Sequence, residues 1–323
     1  MRIFVTGELG FIGRNLPRAF SALGHEVVDS KNVPARRIKT GEICVHRNSE
    51  DDWAKIFQDL ECDLVVHNAA VVGTDVVALH SDEATLTNTT GTYRISRAAE
   101  KCGMPVCYVG TTVIYQSDLY QDTPIVEASV RGPVTLYGAL KLSGEHIIKS
   151  HTSKWLIMRP LFAYGGVGDM NSLVAKTYYA AVNNIDNIDM FLDPSNTKDY
   201  MHVDDFCDAV AFACDVGLWC NDYNIAAETP KNTGDIVKIM SEICGEDLSS
   251  RVNWHPETDY LGNHVLSSEK FRNASGWLPK ITLEAGLTDS WNSIKNNTLD
   301  SEYDPLKHLN DAKNRDIDLK QYY

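Results

Sequence analysis

Two side chains four residues apart, Tyr137 and Lys141, could run acid–base chemistry on an alcohol. On a helix, positions i and i+4 share a face. A phenol ordinarily titrates near pH ~10, and a cation held close stabilises the phenolate and lowers that value. Such a phenol can exchange a proton with a sugar or alcohol oxygen near neutral pH. The pair stands about 25 residues beyond a strand-like run, Val106-Cys-Tyr-Val-Gly-Thr-Thr112. Tyr-x-x-x-Lys also arises as an ordinary exposed helix pair, so the spacing needs a second motif beside it.

That second motif opens the chain. Arg2-Ile-Phe-Val-Thr6 reads as a buried strand, Gly7-Glu-Leu-Gly10-Phe-Ile-Gly13 follows at once, and a helix pattern runs from about Phe11 to Leu23 before Gly24. Strand, glycine turn and helix in that order are the setting of a dinucleotide fingerprint. Gly7, Gly10 and Gly13 permit close backbone approach, and with Phe11 and Ile12 they would present a helix N-terminus to a pyrophosphate. The spacing is G-x-x-G-x-x-G rather than the commoner G-x-G-x-x-G. His25-Glu-Val-Val-Asp29 reads as the second strand. Asp29 nearly fits the acidic position that binds the adenine ribose and selects NAD. Lys31, Arg36 and Arg37 follow closely and could receive a 2′-phosphate, or form an ordinary solvated loop. NAD and NADP both stay open, with a slight tilt toward NADP.

Strand patterns at 2–6, 26–29, 63–67, 106–110 and 155–159 alternate with helix patterns at 12–23, 51–59, 83–102 and 136–151. This alternation predicts an α/β fold, a doubly wound parallel sheet of the Rossmann kind, over residues 1–165. Ligands of such sheets bind beyond the carboxyl ends of the strands. Thr6, Asn68-Ala69-Ala70, Thr111 and Pro160 all fall at those ends, so the separated motifs converge on one crevice. Residues 166–297 are less regular, with a short strand at 190–192 and helix patterns at 204–219, 233–245 and 282–295. They predict a smaller C-terminal α/β substrate-binding part whose later segments interleave with the first. Residues 298–323 are polar and charge-mixed, a frayed helix or disordered tail.

The 323 residues, 43% of them hydrophobic, can bury a substantial core. A net charge of −14 with no long basic run argues against nucleic acid and anionic membrane as partners. No stretch of about 18 apolar residues predicts a membrane span. The first strand begins at residue 2, leaving no room for a signal peptide, so a cytoplasmic location is expected. Eight cysteines without Cys-x-x-Cys suit reduced thiols, and ten histidines without zinc-ligand spacing predict no structural metal.

Further motifs follow in order: His67-Asn-Ala-Ala70, Asn88-x-x-Gly91-Thr92, Thr111-Thr-Val-Ile-Tyr115, Arg159-Pro-x-x-x-Tyr164-Gly165, Lys198-Asp-Tyr-Met-His-Val-Asp-Asp205, Tyr223-Asn-Ile225 and Gly276-Trp-x-Pro279. With the glycine turn and the Tyr–Lys pair, they make the chain resemble the extended short-chain dehydrogenase/reductase family, also called the NAD-dependent epimerase/dehydratase family, over roughly residues 1–295. The resemblance implies an NAD(P)-dependent enzyme acting on a nucleotide-linked sugar, and a homodimer paired through helices near 83–102 and 136–151. It implies that Tyr137 is the catalytic acid/base, that Lys141 binds the nicotinamide ribose and tunes Tyr137, and that Thr111 hydrogen-bonds the reacting oxygen. Asn88 would help order the site, and Ala69, Ala70 and Pro160 would line the cofactor.

Departures narrow the reaction. Where 4,6-dehydratases carry Asp-Glu after the catalytic Thr, this chain has Thr112 and Val113. Ala69-Ala-Val-Val-Gly73 and Ile281-Thr-Leu-Glu-Ala-Gly-Leu287 are similar to GDP-fucose synthase, but its epimerising Cys falls on Val113 and its His, by a looser alignment, on Leu173. Chemistry at one carbinol remains. A C4 epimerase leads, with a one-way 4-keto-sugar reductase or a non-catalytic cofactor-binding homologue as alternatives. Thr112, Val113, Phe162 and Lys198 are the expected substrate contacts. Phe162 stands near a position where epimerases commonly place Asn, and Lys198 replaces the usual Arg of Arg-Asp-Tyr, losing its bidentate fork.

Overall fold

Unbroken apolar runs suit strands buried on both faces, and parallel sheets are built from such strands. A computed structural model describes residues 1–28, 45–165 and 172–296. Among these residues the main sheet has six strands: β1 (Arg2–Thr6), β2 (Glu26–Val27), β3 (Leu64–His67), β4 (Val106–Val109), β5 (Trp155–Pro160) and β6 (Asn221–Ile225). All pairings are parallel, in the order β6-β5-β4-β3-β1-β2. The chain turns to one side of β1 to form β2 and to the other to form β3. That reversal opens a crevice beyond the carboxyl ends of β1 and β3.

Helices cover both faces. Phe11–Ala22 and Val203–Asp215 pack over Ile3, Val5, Leu64, Val66 and Met158. Glu50–Asp59, Thr92–Lys101 and Leu136–His151 pack over Phe4, Val65, Val106, Tyr108 and Ile157. The Glu50 helix starts in a capping box of Ser49 and Asp52, and the Leu136 helix is capped by Thr135, which accepts from Gly138 N at 3.1 Å. A second core gathers Leu173, Tyr178, Ile236 and Leu287 from helices Leu173–Val182, Thr233–Cys244 and Leu283–Lys295, with Met190 from a short strand. Small parallel pairs, Ile188–Met190 with Val252–Trp254 and Ala163–Tyr164 with Met201–His202, hold this part together. The chain returns to the first core through β6, Phe271 and Trp277. No described helix is long and apolar enough to cross a membrane.

Several expectations are corrected. β6 was not anticipated, nor was the Leu173–Val182 helix. The short strand falls at Ile188–Met190 instead of 190–192. The 204–219 helix stops at Asp215, two residues before Gly217 takes φ +74°. The expected 83–102 helix is composite, with α-helix at Ser81–Thr85, a π-helical turn at Leu86–Gly91, and α-helix at Thr92–Lys101. Asp29, Lys31, Arg36, Arg37 and the 298–323 tail lie outside the described residues.

Candidate active site

The glycine turn fits a dinucleotide by geometry. Gly7 takes φ +68°, and a Cβ on it would lie 2.8 Å from Ala69 Cα. A Cβ on Gly13 would lie 2.0 Å from Gly7 O. The turn therefore packs directly against the end of β3, where Asn68 Nδ2 donates to Gly7 O at 3.2 Å. Gly10 caps the first helix without a side chain, and its first turn carries no acid. The first backbone N–H groups of that helix and its dipole are left for an anion.

A buried hydrogen-bonded chain fixes this region. Thr6 Oγ1 accepts from Asn68 N at 3.1 Å and Ala69 N at 3.0 Å. With both lone pairs engaged, its proton goes to His67 Nδ1, 2.8 Å away. His67 Nε2 then carries the ring proton and donates to Thr92 Oγ1 at 2.9 Å, which donates to Asn88 O at 2.8 Å. Burial, with the Lys141 charge adding to it, holds the imidazole down at about 3, so it is neutral. Asn88 lies in the π-helical turn, and turns of that kind often occur at functional sites. Its amide clamps Val71, accepting from Val71 N at 2.8 Å and donating to Val71 O at 2.9 Å.

Tyr137, Lys141 and Glu145 lie along one face of the Leu136–His151 helix. Gly138 lets that helix approach the turn at Thr112–Ile114, since a Cβ there would lie 2.6 Å from Val113 O. Thr111 stands near enough to Tyr137 to favour its ionised form. Burial pushes the Tyr137 phenol up to about 12, and Tyr260 pushes the same way while Thr111 opposes it. The four-residue spacing predicts that Lys141 lowers it. Instead Lys141 Nζ donates to Val109 O at 2.6 Å and stands 4.1 Å from the centre of the Tyr108 ring. Burial brings the ammonium itself down to about 7, with Glu145 opposing. Glu145 holds Arg159 in a two-pronged pair at 2.7 and 2.8 Å, and Arg159 also reaches Asp222 at 2.6 Å and Tyr115 Oη at 2.9 Å. This largely buried network braces the helix from behind.

A cavity of about 530 Å³ opens between the two cores. Phe11, Gly73, Thr74, Phe162, Lys176, Asp189, Phe191 and Tyr260 are among its lining. Of the expected substrate contacts, only Phe162 lines it. Phe162 takes φ +34° and stacks on Tyr200 at 5.5 Å. Thr112 is buried and Val113 half-buried in their turn. Lys198 is turned away, fully buried, with its Nζ 2.9 Å from Asp259 Oδ1 and 2.5 Å from Gly262 O. Thr111, Tyr137 and Lys141 are not among its lining, while Tyr260, which is, stands near enough to Tyr137 to bear on its phenol. Pro160 closes β5 beside the crevice, and Ala69 and Ala70 follow β3. Sequence reasoning missed Thr74, Lys176, Asp189 and Tyr260, which carry no motif spacing and meet only through the fold.

Crevice, glycine turn and Tyr–Lys helix together define a dinucleotide-binding fold of the short-chain dehydrogenase type. A family model described as the NAD dependent epimerase/dehydratase family matches residues 3–226, and the chain belongs to that family. Among relatives, a dTDP-4-dehydrorhamnose reductase from Shigella flexneri is 28% identical over 169 residues, 52% of this chain and 54% of the reductase, so the match spans about half of that relative. A dTDP-glucose 4,6-dehydratase from Mycolicibacterium smegmatis is 25% identical, covering 97% of this chain and 98% of the dehydratase. The structure of a UDP-glucose 4-epimerase from Thermotoga maritima with UDP-glucose superposes with a TM-score of 0.79 at 22% identity, covering 92% of this chain and all of the other. At that identity the likeness is one of fold.

Proposed function

We propose that the protein is an NAD(P)-dependent nucleotide-sugar oxidoreductase that works at one sugar carbinol, foremost as a C4 epimerase. The observation that carries the reading is the Tyr137–Lys141 helix face meeting Thr111 at the mouth of a glycine-turn crevice. A nicotinamide dinucleotide bound on that turn would accept and return hydride. Thr111 would hold the reacting oxygen, and Tyr137 would take its proton as the carbinol becomes a carbonyl and give it back on the return. Lys141, protonated, would hold the nicotinamide ribose and supply the positive charge that this proton transfer needs. Val113 bears no proton-transfer group and Thr112 has no acid or base strength, which supports chemistry without elimination or ring-carbon deprotonation.

A reductase of 4-keto sugars is the second reading. The Tyr137 phenol, pushed up to about 12, is protonated at neutral pH, the form that hands a proton to a forming alkoxide. Incubation with UDP-glucose, dTDP-glucose and their 4-keto derivatives, read by proton NMR and by absorbance of the reduced cofactor, separates the readings. C4 inversion without net cofactor use supports the epimerase. Stoichiometric NADPH consumption supports the reductase, and inertness toward every nucleotide sugar would remove both. Homodimerisation through the 81–101 and 136–151 helices belongs to the same proposal, supported by exposed Leu86 and Tyr93 on the first of them.

A further inference from the structure

Tyr260 comes from the loop after Pro256–Thr258, far in sequence from the Tyr–Lys helix, yet its ring lines the cavity. Its hydroxyl stands 3.1 Å from Thr74 Oγ1, at the start of the Thr74–Leu79 helix, whose Val77 shares a small apolar cluster with Tyr137. The loop is firmly tethered. Asp259 takes Lys198 Nζ at 2.9 Å, Asn196 Nδ2 at 3.0 Å and Asp193 N at 3.1 Å. Gln121 accepts from Asn263 N at 2.7 Å. Lys198, expected as a substrate contact, is thereby engaged in anchoring the Tyr260 loop.

We propose that Tyr260 is a substrate-contacting residue at the reacting centre, its hydroxyl hydrogen-bonding the sugar beside the carbinol on which Tyr137 acts. The inference rests on the sugar-oxidoreductase reading above. A phenol has one donor and two acceptor sites. Thr74 Oγ1 can turn its proton to the Tyr260 oxygen. The phenol proton is then released toward an oxygen in the cavity. Burial keeps Tyr260 neutral, as a donor should be. A sugar held this way is fixed at two neighbouring oxygens, by Thr111 with Tyr137 and by Tyr260, and this orientation aids hydride transfer.

The test compares the cofactor-loaded full chain with its Tyr260→Phe variant, which keeps the ring. Turnover is read with UDP-glucose and dTDP-glucose and their 4-keto derivatives, UDP and dTDP binding by calorimetry, cofactor binding by fluorescence, and folding by thermal melt. The expected result is a fall in kcat of about tenfold or more, with nucleotide and cofactor affinity and Tm nearly unchanged. Turnover within about twofold of wild type would overturn the inference. So would a fall in kcat accompanied by an equal loss of cofactor affinity or by a lowered melt, which marks a structural role. A wild type inert toward every probe overturns the functional reading and this inference with it; an active wild type with an equally active variant overturns this inference alone.

Discussion

Tyr137 and Lys141 were legible from four-residue spacing, but their electrostatics were not. Spacing places two groups on one helix face and says nothing of how dry that face is. Burial here raises the phenol and depresses the ammonium to about 7, so near neutral pH the phenol is protonated and the ammonium sits at its midpoint. The proton-transfer role predicts that Tyr137→Phe lowers turnover by about two orders of magnitude or more. Cofactor affinity should change little, because the lost atom faces the substrate oxygen. Steady-state kinetics beside a cofactor titration check this, and near-normal turnover removes Tyr137 from the role. Lys198 teaches the opposite lesson. Its motif position suggested a substrate contact, and only the fold reveals that Asp259 and Gly262 O already hold it.

At the scale of elements, the glycine turn was legible because φ > 0 and close approach leave glycine as the residue of choice. Gly7→Ala should cost roughly 1–3 kcal/mol through its backbone conformation and the Ala69 contact, and should weaken cofactor binding about tenfold or more. Gly10→Ala should be milder, since its Cβ would meet only Gly7 O at 3.3 Å. Paired melts and cofactor titrations decide, and equal losses in the two variants would refute the geometric account. β6 was illegible for a physical reason. Asn221, Asp222 and Asn224 make it read as polar loop, yet Asp222 and Asn224 serve the network around buried Arg159. The same network makes Glu145 a sensitive position. Glu145→Gln strips one side of a buried two-pronged pair and should cost about 3 kcal/mol. It should also depress Lys141 further, since Glu145 opposes that shift. Urea melts test the first claim, and an unchanged midpoint would contradict it.

For the whole molecule, two cores joined through β6 and the 271–277 segment explain why the division of the chain could not be read as a simple cut. Residues distant in sequence share one interior, and composition does not record that. Burial also gives the molecule a characteristic acid response. His67 and His264 are both held at about 3, against an unfolded value near ~6.5. Below ~6.5 the unfolded chain takes up protons that the folded chain refuses, so stability falls as pH drops from about 6.5 toward 3. Each histidine contributes up to about 1.4 kcal/mol per pH unit. Urea melts across this window should therefore show a shallower decline for His264→Gln than for wild type, and identical slopes would count against the assignment. His67 offers something more. Its Nε2 proton, one link in a hydrogen-bond chain whose donors all point from Thr6 toward Asn88, is shut away from solvent at the joint between the glycine turn and the π-helical turn. Such a proton exchanges slowly and resonates apart from the amide envelope, so one downfield NMR line would serve as a gauge of whether the two sides of the crevice are in register.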